Sequence, residues 1–104
     1  MKISGVLFCF FIGCNVDNIP TFDVTEIVAQ AYKVLLAYGF TGCSCFCGEG
    51  MWQGETESSV MFKYLSVKAD MERDRLKEAL TELRIYFKQE SILLLENEVQ
   101  ASFL

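Results

Sequence analysis

Residues 48–59 concentrate the side chains that could do chemistry: Glu49, Glu55 and Glu57, the lone tryptophan Trp52, and Ser58 beside Ser59. A second polar group, Gln89, Glu90 and Ser91, stands apart in the chain. Carboxylates, a flat aromatic and neutral hydrogen-bonding groups suit the recognition of a cation. An acid pairs with an ammonium, and an aromatic face attracts positive charge. Each residue also has an ordinary reading. Most such acids are solvated loop residues, a lone tryptophan often caps a core, and Gln89 and Glu90 fit a helix end. Glu near a helix C-terminus opposes the macrodipole, which hints at another role for Glu90.

The inventory excludes several classes. The chain has no histidine, so Ser-His and Cys-His catalysis and His-ligated metals are absent. Neither the P-loop nor the dinucleotide glycine signature is present. With 14 acids against 9 bases and a net charge of −5, there is no basic footprint for nucleic acid. The five cysteines, Cys9, Cys14, Cys43, Cys45 and Cys47, are an odd number and fit a reducing cytosol better than a secreted protein. Cys43, Cys45 and Cys47 alternate with period two, so a strand turns all three to one side. They are a thiolate metal or redox site on one reading and small buried hydrophobes on the other; a second CxxC-type knuckle, usual for zinc, is missing.

What must position these residues is one domain. The chain of 104 residues, 52% apolar and 22% charged, reads as a single globular unit over 1–104. Residues 6–12 are a continuous apolar run, expected as a buried central strand. A secretory signal over 1–14 is the alternative, with a single Lys2 and an apolar run too short to cross a bilayer. Residues 15–21, with Pro20, read as a loop. A helix is expected over 24–38, with Asp23 as cap, Glu26 in capping-box position, an apolar stripe from Ile27 to Tyr38 and Gly39 as the stop. A strand follows at 41–47. The glycines Gly48, Gly50 and Gly54 suggest a loop over 48–55 before a strand at 58–67. A second helix is expected over 70–88, with Leu76, Ala79, Leu80, Leu83 and Phe87 on its apolar side. Residues 91–95 form the next strand, 96–98 a turn, and 99–104 a short fifth edge strand.

The order is β-α-β-β-α-β, the ferredoxin-like α+β sandwich: an antiparallel sheet with two helices on one face. The first strand is apolar on both sides while helices cover only one, so self-association is expected. The first and third strands are central neighbours in this fold. Residues 48–59 and 89–91 therefore need not meet within one subunit, and an oligomer is one way to join them.

Three stretches add a resemblance. The apolar first strand, the segment Glu57-Ser58-Ser59-Val60-Met61-Phe62, and the passage Phe87-Lys88-Gln89-Glu90-Ser91-Ile92-Leu93-Leu94 resemble, in this order of elements, the small bacteriophage enzymes that cleave S-adenosylmethionine. These enzymes are called hydrolases and, more recently, lyases. The resemblance covers nearly the whole chain as a pattern. It departs from the family at Trp52, which stands where a tyrosine is expected in a longer loop, and at the cysteine triplet.

The resemblance implies a homotrimer with active sites at subunit interfaces, working in the cytoplasm. It implies cleavage of S-adenosylmethionine to 5′-methylthioadenosine and homoserine lactone, with no metal, cofactor, nucleic acid or membrane involved. By position, Glu57 becomes the key acid, and Trp52, Ser58, Gln89 and Glu90 become substrate-binding residues. The missing histidine is compatible with this chemistry. The substrate's sulfonium leaves as a neutral thioether, and its own carboxylate can attack the γ-carbon. The protein must mainly fix the attack geometry and exclude water. Glu57 would grip the α-ammonium, and Trp52 would stack on adenine or lie near the sulfonium. The competing readings are a non-catalytic ferredoxin-like module that binds a small ligand or a partner, and a thiol protein built on the cysteine triplet.

Overall fold

A computed structural model describes all residues, 1–104. The apolar N-terminal run forms β1 (Lys2–Gly13), a central strand paired antiparallel on both sides. Its side chains alternate: Phe8, Phe10 and Ile12 are fully buried on one face, while Leu7, Cys9 and Phe11 point to the other. Beyond it, β2 (Asn15–Val16) and β3 (Ile19–Pro20) make a small hairpin where a loop was expected. Its turn is Asp17 and Asn18, with φ of 50° and 63°. These two residue types tolerate the left-handed conformation, which is why so short a hairpin closes without glycine.

The first helix, α1 (Val24–Ala37), starts as its capping signal predicts: the Glu26 backbone N–H donates to Asp23 Oδ1 at 2.8 Å. It ends at Gly39, whose φ is 89°. Strand β4 (Ser44–Trp52) then continues through the glycines that suggested a loop. The connection to β5 (Glu55–Ser66) is only Gln53 and Gly54, both at positive φ, a two-residue hairpin turn. Gly48 and Gly50 are tolerated inside β4 because it is an edge strand, paired on β5 alone.

The second helix, α2 (Ala69–Tyr86), buries Leu76, Ala79, Leu80 and Leu83 as the stripe predicts. Last comes β6 (Leu94–Ser102), which replaces the expected turn and fifth strand by one continuous strand along β1, from Phe10–Leu94 to Lys2–Ser102. The acids that suggested a turn lie on its helix side, where Arg73 donates to Glu96 at 2.6 Å. Pairing along a full-length partner outweighs the low strand propensity of Glu and Asn.

The four-stranded sheet runs β4-β5-β1-β6, all antiparallel, with both helices on one face: the ferredoxin-like arrangement. The core of 16 buried residues lies between sheet and helices and includes Phe10 stacked on Phe62 at 5.0 Å. Burial of the larger apolar side chains among them, each contributing about 1.5–3 kcal/mol, is the main force holding the layers together. The other sheet face has no helix over it. It displays Leu7 and Phe11 of β1, Met61 and Leu65 of β5, and Phe46 of β4, none of them fully buried. No helix is long and apolar enough to cross a membrane.

Candidate functional site

At one end of the open face, three segments converge on a cleft of about 410 Å³, within the range that holds a small organic ligand. The sheet supplies its floor, with Phe11 and Gly13 of β1, Glu57 and Ser59 of β5, and Gly50 of β4. Asn15, Asp17 and Asn18 come from the β2–β3 hairpin, Trp52 from the end of β4 and Gln53 from the turn that follows it, and Lys88, Gln89 and Glu90 from the link after α2. Three acids, Asp17, Glu57 and Glu90, face one base, Lys88. The cleft is therefore biased toward a cationic ligand.

Glu57 is the best-fixed acid. It is partly buried, and its Oε2 accepts a hydrogen bond from the backbone N–H of Asn15 at 3.1 Å. Its carboxyl group curls over Gly13, where a Cβ would come within 2.7 Å of the carboxyl carbon. A side chain at Gly13 would push the carboxylate out of this position. None of the three ion pairs in the chain involves Glu57. Below it lies Cys14, 4% exposed; burial pushes its thiol pKa up, and the charges of Glu57 and Asp23 add to the rise.

Gln89 reaches the cleft because of how α2 ends. Lys88 takes the left-handed conformation, φ 53°, and the Gln89 N–H bonds back to the Arg84 carbonyl at 3.0 Å. A lysine in place of the usual glycine costs about 1 kcal/mol. The turn aims Gln89 inward, where its Nε2 donates to the carbonyls of Asn15 and Phe87, both at 3.1 Å. Both partners are acceptors, so the amide's orientation follows from the network itself.

Glu57, Trp52, Gln89 and Glu90 thus lie around one cleft within one chain, although the strand order did not require the two segments to meet there. Ser58 is placed elsewhere. Alternation along β5 turns it to the helix side with Val60, and its neighbour Ser59 faces the cleft opposite Gly13. Gly13, Asn15, Asp17 and Asn18 escaped the sequence reading. The polar run of the expected loop was their only signal, and Asn15 contributes its peptide group, which no side-chain pattern reveals. Cys45 and Cys47 share the helix side of β4, and Cys45 accepts a hydrogen bond from Tyr32 Oη at 3.2 Å. No three His, Cys, Asp or Glu side chains are grouped as metal ligands would need.

No known sequence family matches the chain, and no curated protein does. Solved structures do. A phage SAM lyase in complex with S-methyl-5′-thioadenosine is 22% identical, with a TM-score of 0.77 over 93% of this chain and 90% of that one. A phage SAM lyase in the apo state is 23% identical, with a TM-score of 0.77 over 97% and 93%. A nitrogen regulatory PII-like protein from Thiomonas intermedia, bound to ADP, AMP and bicarbonate, is 10% identical, with a TM-score of 0.63 over 100% and 99%. The chain has the fold of the phage SAM lyases, along nearly its whole length.

Proposed function

We propose that this chain cleaves S-adenosylmethionine to 5′-methylthioadenosine and homoserine lactone. The observation that carries the reading is Glu57: an acid without a cationic partner, held by the Asn15 amide over Gly13 in an acid-rich cleft. It stands in a fold shared with phage SAM lyases, one of them solved with the thioadenosine product.

The reaction asks little of the protein's own groups. A carboxylate oxygen of the substrate attacks its own γ-carbon. The Cγ–S bond breaks, its electron pair stays on sulfur, and the neutral thioether leaves. The lactone closes without any proton transfer. Glu57 binds the α-ammonium and so folds the methionine chain into the attack conformation, which is where most of the acceleration arises. Trp52 offers its face to adenine or to the sulfonium, and Gln89 and Glu90 line the far wall.

The active form is a homotrimer in the cytoplasm. The cleft opens on the same sheet face as Leu7, Phe11, Met61 and Leu65, so a subunit seated there would cover the apolar surface and exclude water from the reacting atoms.

Purified protein incubated with S-adenosylmethionine tests the reading. Methylthioadenosine with lactone as the first-formed product supports it; homoserine formed directly means that water is the nucleophile. A folded protein that binds the substrate and forms no product refutes the enzyme and leaves a ligand-binding module.

A further inference from the structure

Two hydrogen bonds meet on the backbone of one residue, Asn15, at the β1–β2 junction. The Asn15 N–H donates to Glu57 Oε2, and the Asn15 carbonyl accepts from Gln89 Nε2, each at 3.1 Å. Asn15 sits 42 residues from Glu57 and 74 from Gln89, so nothing local enforces the arrangement. The same Gln89 nitrogen donates to Phe87, whose side chain is fully buried in the core. The chain of contacts runs from the core, through Phe87 and Gln89, to the Asn15 residue, and from there to the carboxylate.

We propose that Gln89 is a positioning residue: acting through Asn15, it holds the Glu57 carboxylate in register for the ammonium end of the substrate. This rests on the S-adenosylmethionine reading and deepens it. Both hydrogens of the Gln89 amide are committed to protein carbonyls, so the side chain has no N–H left to give a ligand. An amide that read adenine as a donor would need at least one of them. Without the Gln89 clamp, the short β2–β3 hairpin keeps its own ladder and the bonds around Cys14, whose N–H donates to the Ser58 carbonyl and whose carbonyl accepts from Thr21 and Phe22, but nothing ties the Asn15 carbonyl to the link after α2. The hairpin then shifts relative to that link by a fraction of an ångström to about 1 Å, and the carboxylate bonded to the Asn15 N–H shifts with it. Misplacement of a positioning group by about 1 Å is enough to slow a reaction of this kind on the order of a hundredfold.

The decisive comparison separates the two ends of the substrate. Gln89→Met removes both hydrogen bonds, and Gln89→Glu keeps the shape while replacing the donor with an acceptor. Both variants, checked for folding by circular dichroism, are expected to lose at least tenfold in kcat while the Kd for methylthioadenosine, which lacks the ammonium, stays within twofold. Parallel loss of methylthioadenosine affinity overturns the proposal, because Gln89 then touches the nucleoside itself. Unchanged kcat also overturns it. The wild type guards the underlying reading: if it turns over no S-adenosylmethionine, that reading fails and the clamp is judged separately by NMR. The Asn15 amide resonance is expected to move in Glu57→Gln, which changes its acceptor, and its amide hydrogen is expected to exchange faster with solvent in Gln89→Met than in the wild type. An Asn15 amide exchange rate indifferent to Gln89→Met refutes the clamp whatever the substrate is.

Discussion

Two glutamates at opposite ends of β5 have opposite surroundings. Glu72 reaches back from the first turn of α2 and accepts from Tyr64 Oη at 2.8 Å, from Ser66 Oγ at 2.6 Å and from Arg75 at 3.2 Å. Glu57, at the other end, has one backbone N–H and no cation. A carboxylate saturated by hydroxyls and a guanidinium is fastening a helix to a sheet; its capacity is used up. One held by a single amide in a cleft keeps capacity for a ligand. The difference shows how to sort fourteen acids without knowing the reaction: by asking which of them still lacks partners where the walls could hold a molecule.

The contrast can be broken first at Glu57. Glu57→Gln keeps the shape and the Asn15 contact but removes the charge. Turnover of S-adenosylmethionine is expected to fall on the order of a hundredfold or more, with the denaturation midpoint nearly unchanged. Equal turnover in variant and wild type would end the proposed role. Glu72→Ala should do the reverse. Tyr64, Ser66 and Arg75 lose their acceptor together, so urea denaturation should show about 1–3 kcal/mol less stability, with the KM for substrate untouched.

A third experiment sharpens the structural half by pH. Burial and the bond to Glu72 push the Tyr64 phenol up from its ordinary 10 to about 12. A raised folded-state pKa favours the neutral form, so its contribution is complete below pH 10 and is lost as pH rises through about 12. Thermal melts should therefore decline across that window. Tyr64→Phe should decline less steeply, with the remainder due to Cys43, raised to about 11 mainly by burial, to Tyr32, raised to about 12 mainly by its bond to Cys45, and to the buried Cys14 thiol, raised mainly by burial. The smallest effect concerns the cleft's own scaffold. Lys88→Gly relieves a left-handed lysine and should raise the melting temperature, with a gain of no more than about 1 kcal/mol; a drop would mean that the Lys88 side chain holds the link in place.

The architecture was legible because its signals are local and repeated. Asp23, Glu26 and Gly39 delimit α1, and the leucines of α2 mark its buried side without ambiguity. The β6 strand was misread because its acids look like turn residues until Arg73 and the length of β1 are seen. The β4–β5 hairpin was misread because glycine punctuates loops more often than edge strands. The two polar groups, 48–59 and 89–91, were legible from residue type, but the choice of Glu57 among their acids came only through resemblance. That they share a cleft in one chain was not legible at all, since the residue joining them does so with backbone atoms, and those are the same in every sequence.

Trp52 lies half-exposed at the rim of that cleft and is the sole indole in the chain. The molecule therefore carries its own optical gauge. Emission on excitation at the indole band comes from a single position, next to the space a ligand would fill, with no second fluorophore of its kind to dilute the signal. Stopped-flow traces could follow loading and emptying of the cleft in unlabelled protein, and a collisional quencher such as acrylamide could ask, before any substrate is added, whether assembly of subunits already shields it.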